Sequence, residues 1–134
     1  MLKESSMDNQ IVRVTWEQVG QYLNNIVSKV DKDKISGVYG IPRGGLTLAA
    51  WLSHKLYVPL LTAPSDNCII IDDICDSGES LLHYVNQSST PEGEKDKGYF
   101  ITTMFYTKNN KYRVKPDYYF DLKEDKWIVF PWEE

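Results

Sequence analysis

The chain has 134 residues, of which 42% are hydrophobic and 25% are charged, and its formal net charge is -4. This length suits one domain with a single core, and this composition excludes an intrinsically disordered chain. The negative charge disfavours a nucleic-acid partner, because affinity for a phosphate backbone depends on basic residues. No apolar run approaches the ~20 residues that span a bilayer, so we expect no membrane association.

The two cysteines, Cys68 and Cys75, are too few for a disulfide framework in a chain of this length. Residues 1–10 are polar and lack the apolar stretch of a secretory signal. We therefore expect a flexible N-terminus over 1–10, one domain over 11–134, and a cytoplasmic protein.

The first half of the chain begins with a helical pattern. Apolar residues recur at helical spacing over 16–30, and Thr15 with Gln18 forms a capping-box pattern at the start of that segment. The elements predicted after it are a strand at 37–41, a glycine-rich turn at 42–45, a helix at 46–56 and a strand at 57–62.

The second half is dominated by short strands. The predicted elements are a buried strand at 68–72, a loop at 73–78, a helix at 79–85, a surface loop at 86–98, strands at 99–107 and 118–122, and an apolar tail at 126–131. Strands that alternate with helices predict an α/β fold with a twisted, mainly parallel sheet flanked by helices. Ligands of such sheets bind beyond the carboxyl ends of the strands, where both glycine-containing loops are expected.

Residues 69–80 carry the chemistry, with the sequence Ile-Ile-Ile-Asp-Asp-Ile-Cys-Asp-Ser-Gly-Glu-Ser. A buried strand ends in two adjacent acids, and a third acid, hydroxyl residues and a glycine then lead into a helix. Free amides at a helix start bind anions, and carboxylates bind sugar hydroxyls or hydrated magnesium. A ribose 5-phosphate fits this layout.

The same run resembles the phosphoribosyl-diphosphate signature of type I phosphoribosyltransferases. Four further segments are similar to the bacterial xanthine-guanine members of that family: Val14-Thr15-Trp16, Arg43-Gly44-Gly45, Asp125-Lys126-Trp127-Ile128 and Pro131-Trp132. The resemblance implies the single-domain fold of that family, phosphoribosyl diphosphate and a purine base as partners, Mg²⁺ as cofactor, and a homo-oligomer, either a dimer or a tetramer. It also implies transfer of the phosphoribosyl group to a 6-oxopurine with release of pyrophosphate.

The resemblance assigns roles in the acidic motif. Asp72 and Asp73 would contact the ribose hydroxyls, with Asp72 also near the metal, and Asp76 would approach the purine ring and handle its proton. The residues implied to bind the 5-phosphate are Ser77, Gly78, Glu79 and Ser80.

Two further groups complete the implied site. The pyrophosphate loop would be formed by Pro42, Arg43 and Gly44, with a cis peptide bond between Pro42 and Arg43. The base would be bound by Lys108, Trp127 and Ile128. Together with Asp72, Asp73 and Asp76, Arg43 would form the catalytic set.

The chain departs from the family in its loops. Only residues 63–67 separate the second strand from the acidic strand, where the family has a long mobile catalytic loop, so that loop is shortened here. The loop at 86–98 is longer than its family counterpart and offers a possible replacement cover. Glu79 places an acid in the phosphate loop. These departures leave a second hypothesis open: a weak or inactive protein of this fold that senses phosphoribosyl diphosphate or a nucleotide.

Overall fold

A computed structural model describes residues 10–85 and 98–133 of the chain. Its main sheet has five strands in the order β3-β2-β4-β5-β6, and every neighbouring pair is parallel. These strands are β2 (Val38–Gly40), β3 (Leu60–Leu61), β4 (Ile69–Cys75), β5 (Phe100–Tyr106) and β6 (Tyr118–Leu122). The predicted α/β fold with a parallel sheet is confirmed.

Helices cover both faces of this sheet. They are α1 (Trp16–Lys29), α2 (Leu46–Leu56) and α3 (Glu79–Val85). Side chains alternate across the sheet, so Ile69 and Ile71 join the apolar cluster that contains the buried faces of α1 and α2. Cys68 and Ile70 join a second cluster, which contains Leu81 of α3. The continuous apolar run before the acids is thus buried on both sides.

Helix α1 begins at the predicted capping box. The Gln18 amide donates to the Thr15 hydroxyl oxygen at 3.1 Å, and the Thr15 amide donates to Gln18 Oε1 at 2.9 Å. Apolar residues at helical spacing over 16–30 predict a face that packs on the core, and for Trp16 this prediction is wrong, because the residue is 51% exposed. As the first residue of the helix it packs against the rings of Trp51 and Trp132 instead.

Two strand boundaries differ from the prediction. The strand expected at 57–62 is only β3, because Tyr57 adopts a left-handed conformation that caps α2. The strand expected at 68–72 continues to Cys75, because β4 stays paired with β5 up to Cys75 opposite Tyr106. Asp72 and Asp73 therefore lie within a strand rather than at its end.

A small second sheet was missed by the sequence analysis. Strand β1 (Ile11–Arg13) pairs in parallel with β7 (Trp127–Val129). The Trp127 amide donates to the Gln10 carbonyl at 2.7 Å, so Gln10 belongs to this contact rather than to a flexible end. The rest of the predicted N-terminus, residues 1–9, and nearly all of the predicted loop, residues 86–97, lie outside the described residues. Within the described part of the chain, no helix has the length and apolarity to cross a membrane.

Candidate active site

The candidate site lies at the carboxyl ends of the parallel strands. Strands β2, β4, β5 and β6 are adjacent and parallel, so the segments that follow them emerge at one edge of the sheet. Those segments begin at residues 41, 76, 107 and 123. The prediction that the two glycine-containing loops share one rim is confirmed.

The arginine loop after β2 packs directly on the acidic strand. The Ile41 amide donates to the Ile71 carbonyl at 3.0 Å, and the Gly45 amide donates to the Ile41 carbonyl at 2.8 Å. A Cβ at Gly44 would collide with the carboxylate of Asp73, and one at Gly45 would collide with the carbonyl oxygen of Ile71. Only glycine permits this close approach.

The peptide bond between Pro42 and Arg43 is cis, as the resemblance predicted. Arg43 is exposed at the tip of the loop. With Gly44 it lines a cleft of about 410 Å³, which Trp132 and Glu133 close from the C-terminal side. This cleft lies beside Asp73 and offers a guanidinium to an anion.

The two adjacent acids differ in environment. Asp72 is buried and Asp73 is half-buried. The Asp73 amide donates to Asp72 Oδ1 at 2.8 Å, and the Ile74 amide donates to Asp73 Oδ1 at 2.7 Å. Burial, followed by the negative charge of Asp73, raises the pKa of Asp72 to about 8. Two carboxyl groups this close gain from a neighbouring cation.

A divalent cation fits this donor set only with help from a ligand. In the described ranges there is no cluster of three or more histidine, cysteine, aspartate or glutamate side chains suited to a metal. Mg²⁺ is commonly held by one or two carboxylates together with substrate phosphates and water. Asp72 and Asp73 provide that number of protein ligands.

The predicted phosphate loop turns at Gly78. This residue has φ +91°, and a Cβ there would lie 2.7 Å from Asn110 Oδ1. The Glu79 amide donates to the Ser77 hydroxyl oxygen at 3.1 Å, and α3 then begins at Glu79. The side chains of Ser77, Glu79 and Ser80 are exposed. The glycine turn at a helix start is therefore present, with hydroxyl groups open to a ligand.

Asn110 fixes the phosphate loop to the loop after β5, and the sequence analysis missed it. Its Nδ2 donates to the carbonyl oxygens of Val114 at 2.7 Å and Thr107 at 3.0 Å. Its Oδ1 accepts from the Val114 amide at 2.9 Å. Its side chain is buried against Gly78. Within the run Lys-Asn-Asn-Lys, no local pattern separates this buried asparagine from its exposed neighbour.

A pocket of about 310 Å³ lies beside the acids. Its lining residues are Ile74, Asp76, Lys123, Trp127, Ile128 and Glu133. Trp127 is 69% exposed, whereas Ile128 is buried, because alternate residues of β7 face opposite ways. Asp76 Oδ1 accepts from the Thr107 hydroxyl at 2.9 Å, and Asp76 Oδ2 lies 3.5 Å from Lys123 Nζ. The structure thus brings Asp76, Trp127 and Ile128 together.

Lys108, the third residue predicted to bind the base, lies apart from Trp127 and Ile128. It is exposed, its amide donates to Glu124 Oε2 at 3.1 Å, and it does not line this pocket. The ammonium group in the pocket belongs to Lys123, which the sequence analysis did not single out. Cys75 contributes no nucleophile, since burial raises the pKa of its thiol to about 11.

The fold is shared with known proteins at low sequence identity, although no family model matches the chain. A purine phosphoribosyltransferase from Pyrococcus horikoshii has 30% identity and a TM-score of 0.73, over 93% of this chain and 95% of that one. A xanthine-guanine-hypoxanthine phosphoribosyltransferase from Helicobacter pylori has 20% identity and a TM-score of 0.69, over 92% and 93%. A xanthine-guanine phosphoribosyltransferase from Vibrio vulnificus is 25% identical over 152 residues, which cover 95% of this chain and 91% of that one.

Proposed function

Because the chain belongs to the type I phosphoribosyltransferase family, we propose that it is a purine phosphoribosyltransferase that transfers the 5-phosphoribosyl group of phosphoribosyl diphosphate to a 6-oxopurine and releases pyrophosphate. The acceptor class comprises guanine, xanthine and hypoxanthine. One observation carries the proposal: the arginine loop, the acid pair and an aromatic-walled pocket meet at one edge of the sheet.

The sugar and its phosphate would occupy the centre of that edge. Asp72 and Asp73 would accept hydrogen bonds from the ribose hydroxyls. The 5-phosphate would bind the amides and hydroxyls of the loop formed by Ser77, Gly78, Glu79 and Ser80. The turn at Gly78 supports this, because amides at a helix start attract anions. The exposed Glu79 side chain leaves the turn itself open.

Pyrophosphate would leave through the arginine cleft. Pro42, Arg43 and Gly44 form the loop there, and the Arg43 guanidinium would bind the departing oxygens. When bound beside Asp72, Mg²⁺ would supply positive charge that stabilises the leaving group. The close packing of this loop against Asp73 would keep the sugar and the leaving group in adjacent positions.

The base would bind in the pocket beyond Asp76. Trp127 would stack on its ring, and the backbone of Ile128 would contact its edge. Asp76 would accept the proton that the purine loses as its nitrogen bonds to the sugar. Lys108 remains a proposed contact to the 6-oxygen, since it follows β5 at the same rim.

Turnover of guanine, xanthine and hypoxanthine with phosphoribosyl diphosphate and magnesium tests this function, with adenine as the contrasting base. Formation of the matching nucleotide and pyrophosphate in equal amounts is the expected result. Asp76→Asn keeps the size of the side chain but removes the proton acceptor, and it should slow turnover by a factor of about 10² to 10⁴. No nucleotide from any base would refute the proposal.

The sensor hypothesis stays in view because of one observation. Only residues 62–68 connect β3 to β4, so the short connection predicted there is confirmed. Such a segment spans at most ~3.3–3.6 Å per residue and must return to the sheet, so it does not cover a nucleotide. An uncovered site keeps water near the reacting carbon and weakens the electrostatic contacts there. We therefore propose that this protein turns over more slowly than other enzymes of its class.

The predicted loop at 86–98 is the other candidate cover, and residues 86–97 lie outside the described residues. Deletion of residues 88–95 tests it. Unchanged turnover in that deletion would show that this loop does not cover the site. Loss of turnover in that deletion, with phosphoribosyl diphosphate binding retained, would show that this loop is the cover. Tight magnesium-dependent binding without any turnover would favour the sensor.

A further inference from the structure

Three neighbouring strands meet at one carboxylate: the first leads to Asp76, and each of the other two leads to a side chain that contacts it. Asp76 follows β4, Thr107 follows β5 and Lys123 follows β6. The Thr107 amide donates to the Cys75 carbonyl at 2.9 Å, and the Lys123 amide donates to the Tyr106 carbonyl at 2.7 Å. The backbone hydrogen bonding therefore continues one residue beyond β5 and β6, and it fixes the backbone positions of Thr107 and Lys123.

The two oxygens of Asp76 have different partners. The Thr107 hydroxyl donates to Oδ1 at 2.9 Å, and Lys123 Nζ lies 3.5 Å from Oδ2. Lys123 Nζ also donates to the Glu124 carbonyl at 3.3 Å. The Lys123 side chain is only 15% exposed, whereas that of Asp76 is 59% exposed. Surface lysines usually leave the ammonium in water, so this enclosed lysine is held at the pocket, and the carboxylate remains open to a ligand.

The positive charge of Lys123 balances the acidic side chains of the pocket. Among its described lining residues, Asp76 and Glu133 are acidic and Lys123 alone is basic. Without Lys123, two carboxylates would border an otherwise apolar pocket, and burial of uncompensated charge under a bound base is costly.

We propose that Lys123 is a positioning residue of the base pocket: together with Thr107, it holds the Asp76 carboxylate by both oxygens in the orientation that meets the purine ring. This inference rests on the proposed function. As the purine nitrogen bonds to the anomeric carbon, the carbon–oxygen bond breaks and pyrophosphate leaves with the electron pair. The proton on the purine ring passes to Asp76, which lines the pocket.

The test compares Lys123→Met, Lys123→Arg and Lys126→Met. Lys126 lies in the same turn, and its Nζ donates to the Leu122 carbonyl at 3.4 Å rather than entering the pocket, so its variant is the matched control. The readouts are kcat, the KM of each substrate, the thermal unfolding temperature, and crystal structures of the wild type and Lys123→Met. The acceptor is whichever of guanine, xanthine and hypoxanthine the wild type uses fastest.

Lys123→Met should lower kcat about tenfold, equivalent to about 1.4 kcal/mol, with the KM of phosphoribosyl diphosphate unchanged. Lys123→Arg should restore most of the rate, and Lys126→Met should match the wild type. In the crystal structure of Lys123→Met, the Asp76 carboxylate should leave its wild-type orientation.

Three results would overturn the inference. In the first, Lys123→Met is as active as Lys126→Met. In the second, Lys123→Met lowers both kcat and the unfolding temperature, and Lys123→Arg restores neither. That result would mean that Lys123 has only a structural role. In the third, Lys123→Met is faster, which means that the ion pair restrains Asp76 in an unproductive position. If the wild type itself lacks turnover, the proposed function fails and the crystal structures decide: an unmoved Asp76 refutes the inference, and a displaced one supports it.

Discussion

The two sides of the candidate site are held in place by different means. On the side of the arginine loop and the acid pair, the backbone of one loop lies against the next strand, and no space remains for a Cβ at Gly44 or Gly45. On the other side, which comprises the base pocket and the phosphate loop, Asp76, Lys123 and Asn110 are positioned by side-chain hydrogen bonds and an ion pair. Trp127 stands largely exposed there.

This difference determines which substitutions each side tolerates. Close backbone packing admits almost no substitution, but it needs no particular partner side chain. A side-chain network tolerates changes in volume, but each lost partner leaves a polar group unsatisfied. We therefore expect the first side to fail sterically and the second to fail through lost hydrogen bonds or contacts.

The side formed by the arginine loop and the acid pair is called the packed side here, and its sharpest test is Gly44→Ala. The added methyl group collides with the Asp73 carboxylate, so turnover should fall by about a hundredfold, as displaced catalytic groups commonly cause. Steady-state kinetics measures this. Gly20→Ala is the control, because its Cβ would make only an ordinary contact with the Trp51 ring at 3.4 Å. Wild-type turnover in Gly44→Ala would show that the loop relaxes easily.

Asn110→Ala tests the opposite side, formed by the base pocket and the phosphate loop and called the networked side below. It leaves the buried Val114 amide and two carbonyl groups without their partner. The free energy of unfolding should fall by ~1–3 kcal/mol, which denaturant titration measures. Asn109→Gly is the control, because Asn109 is exposed and has φ 55°, which glycine adopts readily. Equal stability of the two variants would contradict the role given to Asn110.

Trp127→Ala separates binding from stability on the same side. The exposed ring contributes little to the core, so the unfolding temperature should hardly change. Affinity for a purine nucleotide should fall by ~1–3 kcal/mol, as when a stacked aromatic is removed from a base. Calorimetry with the nucleotide and with phosphoribosyl diphosphate measures both effects. If Lys108 reaches the base, Lys108→Ala should also lower the affinity for the purine nucleotide. An equal loss of affinity for the nucleotide and for phosphoribosyl diphosphate would indicate misfolding.

The smallest expected effect is that of Glu79→Gln. Glu79 is exposed in the phosphate loop, so its charge is screened and repels a bound phosphate only weakly. Removing the charge should tighten phosphoribosyl diphosphate binding by less than about tenfold, and the gain should vanish at high salt. A salt-independent loss of affinity would mean that this carboxylate takes a direct part in the site.

The packed side was largely predictable from sequence. The helix at 46–56 follows the arginine loop and matches its predicted bounds, because its leucine and alanine content and the glycine turn before it mark it clearly. The acids were predicted at the end of the strand, with Asp73 already in the loop, because their polarity suggests a strand end, whereas pairing with β5 continues past them.

The networked side was not predictable in the same way. Asn110 and Lys123 lie in polar segments that no periodicity distinguishes from ordinary surface. Their roles depend on contacts between strands that the topology brings together. Strand β1 was missed for a similar reason, because its partner β7 lies near the other end of the chain.

That pairing has a consequence for synthesis on the ribosome. The strand before α1 emerges early, whereas its parallel partner, which carries Trp127, emerges only after every strand of the main sheet. Until then β1 lacks its partner strand, and the pocket lacks the wall that Trp127 and Ile128 form. A nascent chain stalled before β7 would therefore display the acid motif without that wall.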